Sequence, residues 1–409
     1  MINCIESIDR EHLCIGCGIC ESIAGTQNIK LVLGEDGFYH PIVIGSEKSY
    51  WAEIKQVCPG LSIHQPTKAM NENEKIWGTI KASNIGYSTD EQVRYISSSG
   101  GVISALLCFL LETKQVTGIV HVGKSDNDPR INEAGISRTK ADIIRRAGSR
   151  YSPASPLVFI KKILDNKDER VAFVGRPCDV AALRSYLDLH SELEKQITHI
   201  FSFFCAGTPS QKGTLDVLAA LGALQCALKD FRYRGHGWPG KTTAICMDGS
   251  LKVMNYSESW GSILNKYLHF RCKICPDGMG SLADITCGDA WHEKDGYPSF
   301  EEMPGQSFIL ARTSKGEKLL SEALEKGYLM VEPYDISALG RIQQYQQDRK
   351  KVIGSRILAL RLAGKFYPRF SGFYLLYNGL KGGMKNNIQN MLGMLKRIRK
   401  LKYNANATI

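Results

Sequence analysis

The stretch VAFVGRPCDVAALRSYLDL, residues 171–189, joins a short apolar run, a turn and a helical pattern. Val171–Val174 has the length and the β-branched and aromatic content of a buried strand. Gly175 and Pro177 mark a turn, and Val180–Leu189 then has a helical pattern. A strand that leads directly into a helix is the repeating unit of α/β folds, so this stretch predicts a central sheet covered by helices.

The same alternation extends outward over residues 76–333. Further strand-like apolar runs are Val116–Val122, Ile197–Phe204 and Leu282–Thr286. Further helical patterns are Val102–Leu111, Leu215–Leu228 and Gly316–Leu324. We therefore expect an α+β chain whose body, residues 76–333, is a mixed α/β domain around a mixed sheet of unassigned strand order.

Two regions flank this body. Residues 1–75 hold a tight cysteine group and glycine-containing turns, which predicts a small, loop-rich metal domain, and the polar run Met70–Lys75 predicts a linker. Residues 334–409 predict a basic, helical C-terminal region. From Arg341 onward the sequence contains 15 Lys or Arg and one acid, Asp348, so this segment has a net charge of +14. Because the whole chain has a net charge of +11, the residues before Arg341 have a net charge of −3.

The composition predicts a folded protein that stays in the cytoplasm. Neither a secretory signal nor an apolar run of the ~20 residues that a membrane-spanning helix needs is present. In a reducing compartment, clusters among the 13 cysteines indicate metal or redox chemistry rather than disulfides. Four scattered cysteines are interpreted as ordinary buried thiols: Cys4, Cys108, Cys226 and Cys246.

The first cysteine group has the spacing C-x₂-C-x₂-C, formed by Cys14, Cys17 and Cys20. This spacing lets one loop wrap three corners of a [4Fe–4S] cubane, and its glycines leave room for backbone N–H groups. The usual fourth cysteine would stand at Ala24, so we assign that ligand to Cys58, the nearest cysteine that precedes a proline. A zinc site with the same thiolates is the alternative, although zinc motifs usually pair two separate C-x₂-C units.

A second group begins with Cys272 and Cys275, which supply half of a site. Three further cysteines, Cys178, Cys205 and Cys287, lie at predicted strand ends. Such positions can converge at one edge of a sheet, where α/β proteins place their chemistry. The residues predict a second cluster, with a zinc knuckle or a metal-free thiol pair as alternatives.

Three loops could contact phosphate or another anion. Ser97–Gly101 precedes a predicted helix, so its N–H groups and the helix dipole could hold a phosphate, or the loop could be a plain helix cap. Ala147–Pro153 and Phe231–Gly240 combine cations with hydroxyl or aromatic side chains, and each could also be a solvated turn. There is no G-x-G-x-x-G, Walker A, H-E-x-x-H or G-x-S-x-G motif, so Rossmann, P-loop and common hydrolytic chemistries lack support.

From about Ile76 to Trp291, the chain resembles the beta subunit of the coenzyme F420-reducing hydrogenase/dehydrogenase family. The segments that carry the resemblance, in order, are Ser98–Val102, Gly148–Tyr151, Gly175–Arg184, Phe204–Gly207, Cys272–Cys275 and Ala283–Asp289. The N-terminal cysteine motif is similar to the ferredoxin-type extension of many relatives. Features at Arg232–Arg234, Gly237–Gly240 and Glu258–Gly261 are similar to those of stand-alone bacterial members found with polysaccharide biosynthesis genes.

The resemblance implies bound FAD and a [4Fe–4S] cluster in the body, and therefore two clusters in all. It implies that four cysteines are the ligands of the second cluster: Cys178, Cys205, Cys272 and Cys275. Cys287 is the alternative ligand. It also implies a set of cofactor contacts: Ser98, Ser99, Gly100, Gly101, Ser149, Arg150, Tyr151, Arg234, Gly288 and Asp289.

We therefore expect an iron–sulfur flavoprotein oxidoreductase. Its partner would be a ferredoxin-like electron donor or a coenzyme F420-like carrier, because clusters pass single electrons and a flavin handles two. The loop around Arg232 and Arg234 indicates a small anionic substrate. The rival interpretations are a non-catalytic electron-transfer subunit of a larger redox complex and a zinc-stabilised binding protein.

The C-terminal region mixes aromatic and basic side chains. Between Arg361 and Leu380, Lys365 and Arg369 alternate with aromatic residues, and Lys396–Lys402 adds a basic cluster; the aromatic residues are Phe366, Tyr367, Phe370, Phe373, Tyr374 and Tyr377. Such a segment can lie on an anionic membrane surface, or it can form a helical cap on the body. We expect no nucleic acid, because no recognised binding module accompanies the charge.

Overall fold

A computed structural model describes residues 2–66, 71–294 and 297–406 of the chain. The strands, in chain order, are β1 (Ile29–Leu33), β2 (Tyr39–Val43), β3 (Ser62–His64), β4 (Ala82–Ser88), β5 (Gly118–Lys124), β6 (Asn132–Ser137), β7 (Val171–Val174), β8 (Ile197–Phe203), β9 (Leu228–Arg232), β10 (Thr242–Cys246), β11 (Leu251–Met254), β12 (Ile285–Asp289), β13 (Glu293–Lys294), β14 (Tyr297–Pro298), β15 (Ser307–Ala311), β16 (Leu329–Pro333) and β17 (Arg369–Ser371).

The helices lie mainly between these strands and after them. In chain order they are α1 (Ile5–Arg10), α2 (Ile19–Ala24), α3 (Lys48–Val57), α4 (Glu72–Trp77), α5 (Glu91–Ile96), α6 (Val102–Glu112), α7 (Lys140–Arg146), α8 (Ile160–Leu164), α9 (Pro177–Leu189), α10 (Gln211–Ala220), α11 (Ser314–Glu325), α12 (Leu339–Ile342), α13 (Gln344–Leu362), α14 (Leu375–Lys381) and α15 (Met384–Asn406).

Eight strands form a central mixed sheet in the order β16-β4-β15-β12-β8-β7-β5-β6. The four strands β5, β7, β8 and β12 run parallel to one another, and the outer strands join them antiparallel. The predicted mixed α/β body is therefore confirmed. The strand predicted at Val171–Val174 matches β7, and the other predicted strands overlap β5, β8 and β12 with boundary shifts of a few residues.

Both faces of this sheet are covered, as β7 shows. Val171 and Phe173 pack in one buried cluster with α2, α3, α8 and α9, whereas Ala172 points to the opposite face and packs with α6 and α11. Strands buried on both faces appear in a sequence as continuous apolar runs, which makes them recognisable without a structure.

The N-terminal residues pack on the body and share its core. The Leu157 N–H donates to the Cys17 carbonyl oxygen over 3.0 Å, and the Ser155 hydroxyl donates to the Gly16 carbonyl oxygen over 2.7 Å. Residues of α1, α2 and α3 lie in the same buried cluster as residues of β7 and α9. A domain boundary near residue 75 stays a prediction.

The polar run that was expected to be a linker is largely helical. Asn71 accepts a hydrogen bond from the Glu74 N–H over 3.0 Å and so caps α4, while Met70 lies outside the described residues. A side-chain oxygen that pairs with a first-turn N–H favours a helix start, and this explains why a polar sequence folds here.

One predicted helix is wrong in its second half. The pattern at Leu215–Leu228 begins within α10, but α10 ends at Ala220. Gly222 then adopts φ +66°, a left-handed conformation that ends the helix, and Leu228 begins β9. β9 belongs to a separate three-stranded sheet in the order β11-β10-β9.

The cysteines outside the two groups differ from one another. Cys4 and Cys108 have free thiols, but Cys226 and Cys246 are joined in a disulfide with their Cα atoms 5.9 Å apart. The antiparallel pairing of β9 with β10 brings these two positions together. The interpretation as ordinary thiols is therefore wrong for this pair.

The C-terminal residues are mostly helical and return to the N-terminal end of the chain. Both α14 and α15 pack against α13, and β17 pairs in parallel with β3. Within the described residues, no helix is both long enough and apolar enough to cross a membrane.

Candidate functional site

The parallel strands β7, β8 and β12 end at one edge of the central sheet, and each delivers a candidate segment there. β7 leads into residues 175–178, β8 leads into residues 204–207, and β12 ends at Asp289, which pairs with Ser307 of β15. The predicted convergence of these segments follows from the topology, because parallel strands have their carboxyl ends at the same edge.

Four thiols line one small pocket between α1, α2 and α3, and we call them the N-terminal thiol group: Cys14, Cys17, Cys20 and Cys58. Gly16 and Gly18 adopt φ of +63° and +91°, which lets the loop turn sharply around the pocket. The Gly16 N–H donates to the Cys14 Sγ over 3.4 Å. The Cys58 thiol joins the three from the tight motif because Cys58 caps the end of α3.

Burial is the main cause that raises the pKa of every thiol in this group, to about 12 for Cys20. The neighbouring sulfurs add to the effect, since Cys20 raises the pKa of Cys14 and of Cys17. Metal ligands must be thiolates, so a bound metal would offset the cost of ionising these groups.

Four other thiols approach one another at the sheet edge, and we call them the body thiol group: Cys178, Cys205, Cys272 and Cys275. Burial and then the sulfurs of Cys272 and Cys275 raise the pKa of Cys205, which reaches about 12. Burial and the Asp179 carboxylate raise the pKa of Cys178, and Cys275 and Cys205 add to that increase. The Thr208 N–H donates to the Cys272 Sγ over 3.4 Å.

Cys287 differs from the members of the body thiol group. It lies within β12, opposite Ile309 and beside Phe203, and burial alone raises its pKa. Among the described residues, no group of three or more His, Cys, Asp or Glu side chains is close enough to hold a single metal ion. A four-iron cluster places iron and sulfide between its thiolates and so needs them further apart than one ion does.

Helix α13 fixes the loops that carry the body thiol group. Arg349 donates to the carbonyl oxygens of Cys205 and Cys272 over 2.9 and 3.0 Å, and Lys350 Nζ donates to the Pro276 carbonyl oxygen over 3.1 Å. Both cations are buried, and burial lowers the pKa of Lys350 to about 8. These side chains position the cysteine loops and bring positive charge to buried sulfurs.

Two arginines connect the two thiol groups. Arg271, which precedes Cys272, donates from Nη2 to the Pro59 carbonyl oxygen over 2.9 Å. Arg176, in the turn between β7 and α9, donates from Nη2 to the carbonyl oxygens of Ala154 and Ile15, over 3.0 and 3.5 Å. Arg271 is almost fully buried, so it brings a positive charge between the groups.

A cavity of about 550 Å³ opens beside the body thiol group and includes Cys205 in its wall. This volume lies within the range of roughly 300–1,000 Å³ that is usual for small-molecule sites. The wall includes residues 97–99, 101–104, 146–152, 203–209, 287–289 and 342–346. Nine of the ten cofactor contacts predicted from the sequence line it: Ser98, Ser99, Gly101, Ser149, Arg150, Tyr151, Arg234, Gly288 and Asp289.

The tenth predicted contact, Gly100, lies directly behind the wall. A Cβ there would come within 2.6 Å of the Gly86 carbonyl oxygen, so the loop can pack against β4 only with glycine. Gly101 adopts φ +75° at the start of α6 and has no side chain to cap the helix. The first-turn N–H groups of α6 therefore stay available to an anion.

The two hydroxyl-rich loops of the cavity are joined directly. The Ser149 N–H donates to the Ser98 Oγ over 2.5 Å. Arg150 fixes the second loop because its guanidinium donates to the Asn132 side chain over 2.7 Å and to the carbonyl oxygens of Phe231 and Pro129 over 2.9 and 2.6 Å. Arg150 thus positions the wall.

Arg234 and Asp289 form a buried ion pair in the wall. Two guanidinium nitrogens of Arg234 lie 2.8 and 2.9 Å from the two carboxylate oxygens of Asp289. The Trp238 indole N–H also donates to Asp289, over 2.8 Å. Arg234 therefore presents no unmatched charge to a substrate, contrary to the expectation from the sequence.

Aromatic side chains form one side of the cavity, and most of them were not predicted from the sequence. The Tyr151 and Trp260 rings lie 4.8 Å apart between centroids, those of Tyr256 and Trp291 stack at 5.9 Å, and the Phe300 ring meets Trp291 at 4.9 Å. Trp260 lies in a π-helical turn, residues 257–263, a feature often found at functional sites. Such a wall suits a flat, conjugated ligand.

Arg146 is a further cavity residue that was not predicted from the sequence. Its Nη1 donates to the Glu133 carbonyl oxygen over 3.0 Å, but its buried Nε has no hydrogen-bond partner among the described residues. A buried donor without a partner is the exception in folded proteins and marks a place for a ligand or water. In the sequence, Arg146 could have been found from its position just before Gly148–Tyr151, a segment that was predicted to contact the cofactor.

Two family models match the chain, and both describe the beta subunit of coenzyme F420 hydrogenase/dehydrogenase. Residues 85–161 match the model of its N-terminal part, and residues 168–337 match the model of its C-terminal part. The chain belongs to this beta-subunit family. Membership confirms the resemblance inferred from the motifs and places the chain among proteins of redox electron transfer.

Relatives and a solved structure agree with this assignment. The coenzyme F420 hydrogenase subunit beta of Methanococcus voltae is 25% identical over 297 residues, which cover 69% of this chain and 98% of the relative. The F420-dependent formate dehydrogenase subunit beta of Methanocaldococcus jannaschii is 22% identical and covers 69% of this chain and 67% of the relative. A chain of the F420-reducing [NiFe] hydrogenase complex of Methanosarcina barkeri has the same fold, with a TM-score of 0.56, 20% identity, and coverage of 72% of this chain and 98% of that one.

Proposed function

We propose that this protein is an iron–sulfur flavoprotein oxidoreductase that moves electrons between a redox partner, two [4Fe–4S] clusters and FAD to reduce or oxidise a small substrate. The observation that carries the proposal is the arrangement of the eight cysteines. They form two groups, and Cys205 of the body thiol group lies in the wall of a ligand-sized cavity. Bound clusters would supply one-electron chemistry, and a bound flavin would supply two-electron chemistry.

The chemistry of the donor set supports a cluster at the N-terminal thiol group. Four thiols line its pocket, and Gly16 offers a backbone N–H to the sulfur of Cys14. Cubane clusters are held by four thiolates, and N–H groups that donate to the sulfurs tune their reduction potential. In this proposal Cys14, Cys17, Cys20 and Cys58 hold the first cluster.

The body thiol group fits a second cluster in a similar way. Thr208 offers its N–H to the sulfur of Cys272, and the buried cations of α13 hold the loops of Cys205 and Cys272. We propose Cys178, Cys205, Cys272 and Cys275 as its ligands. Cys287 stays outside this set because it lies within β12 and none of the four sulfurs contributes to its pKa shift.

The cavity supports FAD as the bound flavin. The start of α6 offers N–H groups to a phosphate, Ser98 and Ser149 join the two loops beside it, and Arg146 has a free donor in the wall. The aromatic side, with Trp260 and Trp291, suits a flat ring. Gly100 supports these contacts from behind, and Gly288 and Asp289 close the wall at the end of β12.

The order of the parts supports a linear electron path. Arg271 and Arg176 link the N-terminal thiol group to the body thiol group, and Cys205 links the body thiol group to the cavity. The redox partner, a protein donor or a coenzyme F420-like carrier, would therefore exchange electrons at one end of this series of centres. The substrate would react at the other end.

The substrate and the compartment are also part of the proposal. A small anionic substrate, as expected for a role in polysaccharide biosynthesis, would find positive charge at Arg146 rather than at Arg234, whose charge Asp289 neutralises. We place the protein in the cytoplasm, where most thiols stay reduced and the two thiol groups would be free to bind metal.

Anaerobic flavin bleaching by candidate donors tests this function. Reduced ferredoxin should bleach the bound flavin of the wild type and bleach it much more slowly in Cys17→Ala, which lacks a ligand of the N-terminal group. Cys108→Ala, a buried cysteine outside both groups, should behave as the wild type does. A protein without flavin, or equal bleaching in Cys17→Ala, would contradict the proposed path.

A non-catalytic electron-transfer subunit is the second candidate, and the relatives favour it specifically. The names of the M. voltae and M. jannaschii relatives describe subunits, and the similar solved chain belongs to a hydrogenase complex. Turnover of an artificial electron acceptor by the isolated chain would support the enzyme, and turnover only after addition of a partner subunit would support the relay.

A further inference from the structure

The C-terminal helices expose aliphatic side chains at regular spacing. Leu376 and Leu380 on α14 and Met384 on α15 are 81%, 77% and 80% exposed, and Ile388 and Leu392 continue the spacing of four residues along α15. Soluble proteins expose single apolar residues everywhere, but a repeated series on one segment indicates a contact surface.

The aromatic residues that first suggested membrane contact have another role. Phe373 is buried, and Phe370, Phe366 and Tyr367 pack in hydrophobic clusters with the N-terminal residues and α13. They hold the C-terminal helices on the molecule. The exposed surface is therefore aliphatic and begins at Leu376, after these four aromatic residues.

Basic side chains flank the aliphatic series. From Arg349 to Ile409 the sequence contains 14 Lys or Arg and no Asp or Glu. At 100° per residue, Lys385, Lys396 and Arg399 lie within about 40° of Leu392 around the axis of α15. All three of these side chains are exposed.

Carboxylates from neighbouring elements reach only the edges of this surface. Glu72 of α4 pairs with Lys381 over 3.6 Å and accepts a hydrogen bond from the Tyr377 hydroxyl, and Glu11 pairs with Lys365 over 3.1 Å. The ion pairs found within the described residues do not include Lys385, Lys396 or Arg399. Their charge is available to an external partner.

We propose that this surface, residues 376–400, docks the protein on an anionic membrane. Exposed aliphatic side chains between cations fit an interface where the former enter the acyl boundary and the latter meet lipid phosphates. The proposal is independent of the redox function, since it uses no residue of the thiol groups or the cavity. Charge complementarity selects the bilayer over a neutral protein surface.

Sedimentation with vesicles tests this docking. Wild-type protein should sediment with vesicles of phosphatidylcholine and phosphatidylglycerol but not with phosphatidylcholine alone, and high salt should release it. The triple variant L376Q/L380Q/M384Q and the triple variant K385E/K396E/R399E should each lower the bound fraction by on the order of tenfold.

Matched controls separate docking from general effects. M247Q/L251Q/M330Q removes three aliphatic side chains that are also exposed, and K162E/K167E/K229E makes the same change in charge elsewhere. Both controls should bind as the wild type does, and circular dichroism should show all four variants folded. Equal binding by the docking variants, or no binding of the wild type to anionic vesicles, would overturn the proposal; in the second case the surface would serve a protein partner.

Discussion

At the scale of residues, His40 shows how one side chain can tie the N-terminal turn together. Its Nδ1 lies 2.8 Å from an Asp9 oxygen and its Nε2 lies 2.8 Å from an Asp36 oxygen. The hydrogen bond with Asp36 and then the one with Asp9 raise the pKa of His40 to about 10. The protonated ring therefore bridges α1 and the β1–β2 turn.

This pKa makes a pH-dependent prediction. A folded-state pKa above the unfolded value of 6.5 gives stability that is complete below pH 6.5 and is lost as the pH rises through 10. The groups are partly exposed, so we expect H40Q to cost about 1 kcal/mol, or roughly 2 °C in melting temperature, at pH 6. Melting curves of H40Q should show a smaller loss at pH 9.

His64→Gln is the matched control for that experiment. His64 is exposed and pairs with the Ser371 hydroxyl instead of two carboxylates. A loss for H40Q that is as large at pH 9 as at pH 6, measured against H64Q, would show that the bridge contributes no charge effect.

Individual residues also mark the limits of inference from sequence. Cys178, Cys205 and Cys287 could be selected because strand ends meet at one sheet edge, a rule that needs no structure, and the family resemblance then ranked Cys287 behind the other two. Arg349 could not be selected, since it contacts Cys205 from 144 positions further along the chain. Nor could the pairing of Arg234 with Asp289, because sequence shows a charge without showing its partner.

At the scale of elements, α13 is the helix whose role was unexpected. A basic C-terminal segment predicts a solvated surface, yet Arg349 and Lys350 are buried against the loops of the body thiol group. The strands were predictable because buried parallel strands are continuous apolar runs. The end of α10 was missed because the conformation of one glycine, Gly222, decides it.

Replacement of Arg349 tests the role of α13. R349Q removes a charge-assisted bond to each of two cysteine loops and a positive charge near the proposed second cluster, so that cluster should be harder to reduce. We expect its midpoint potential, measured by an anaerobic titration followed by electron paramagnetic resonance, to fall by tens of millivolts, where about 59 mV is tenfold for one electron.

The control for this measurement lies on the same helix. Arg361 is exposed near the end of α13, so R361Q makes the same change in charge 12 positions further along the helix than Arg349. A potential in R349Q that equals the potential in R361Q, with the signal of the second cluster intact, would mean that α13 only supports the fold.

At the scale of the whole molecule, the chain arranges its candidate centres in sequence. The N-terminal thiol group, the body thiol group and the cavity follow one another, with Arg271 and Arg176 between the first two. The family and its sheet were predictable from ordered motifs. The aromatic side of the cavity was largely missed because it assembles from residues 151 to 300 through tertiary packing.

Native mass spectrometry of the anaerobically purified chain tests the central claim most directly. We expect a wild-type mass that exceeds the polypeptide by two four-iron clusters and one FAD, a C14A/C17A variant that lacks one cluster, and a C272A/C275A variant that lacks the other. A wild-type mass that fits zinc or bare polypeptide, or a variant that keeps the mass of both clusters, would contradict it.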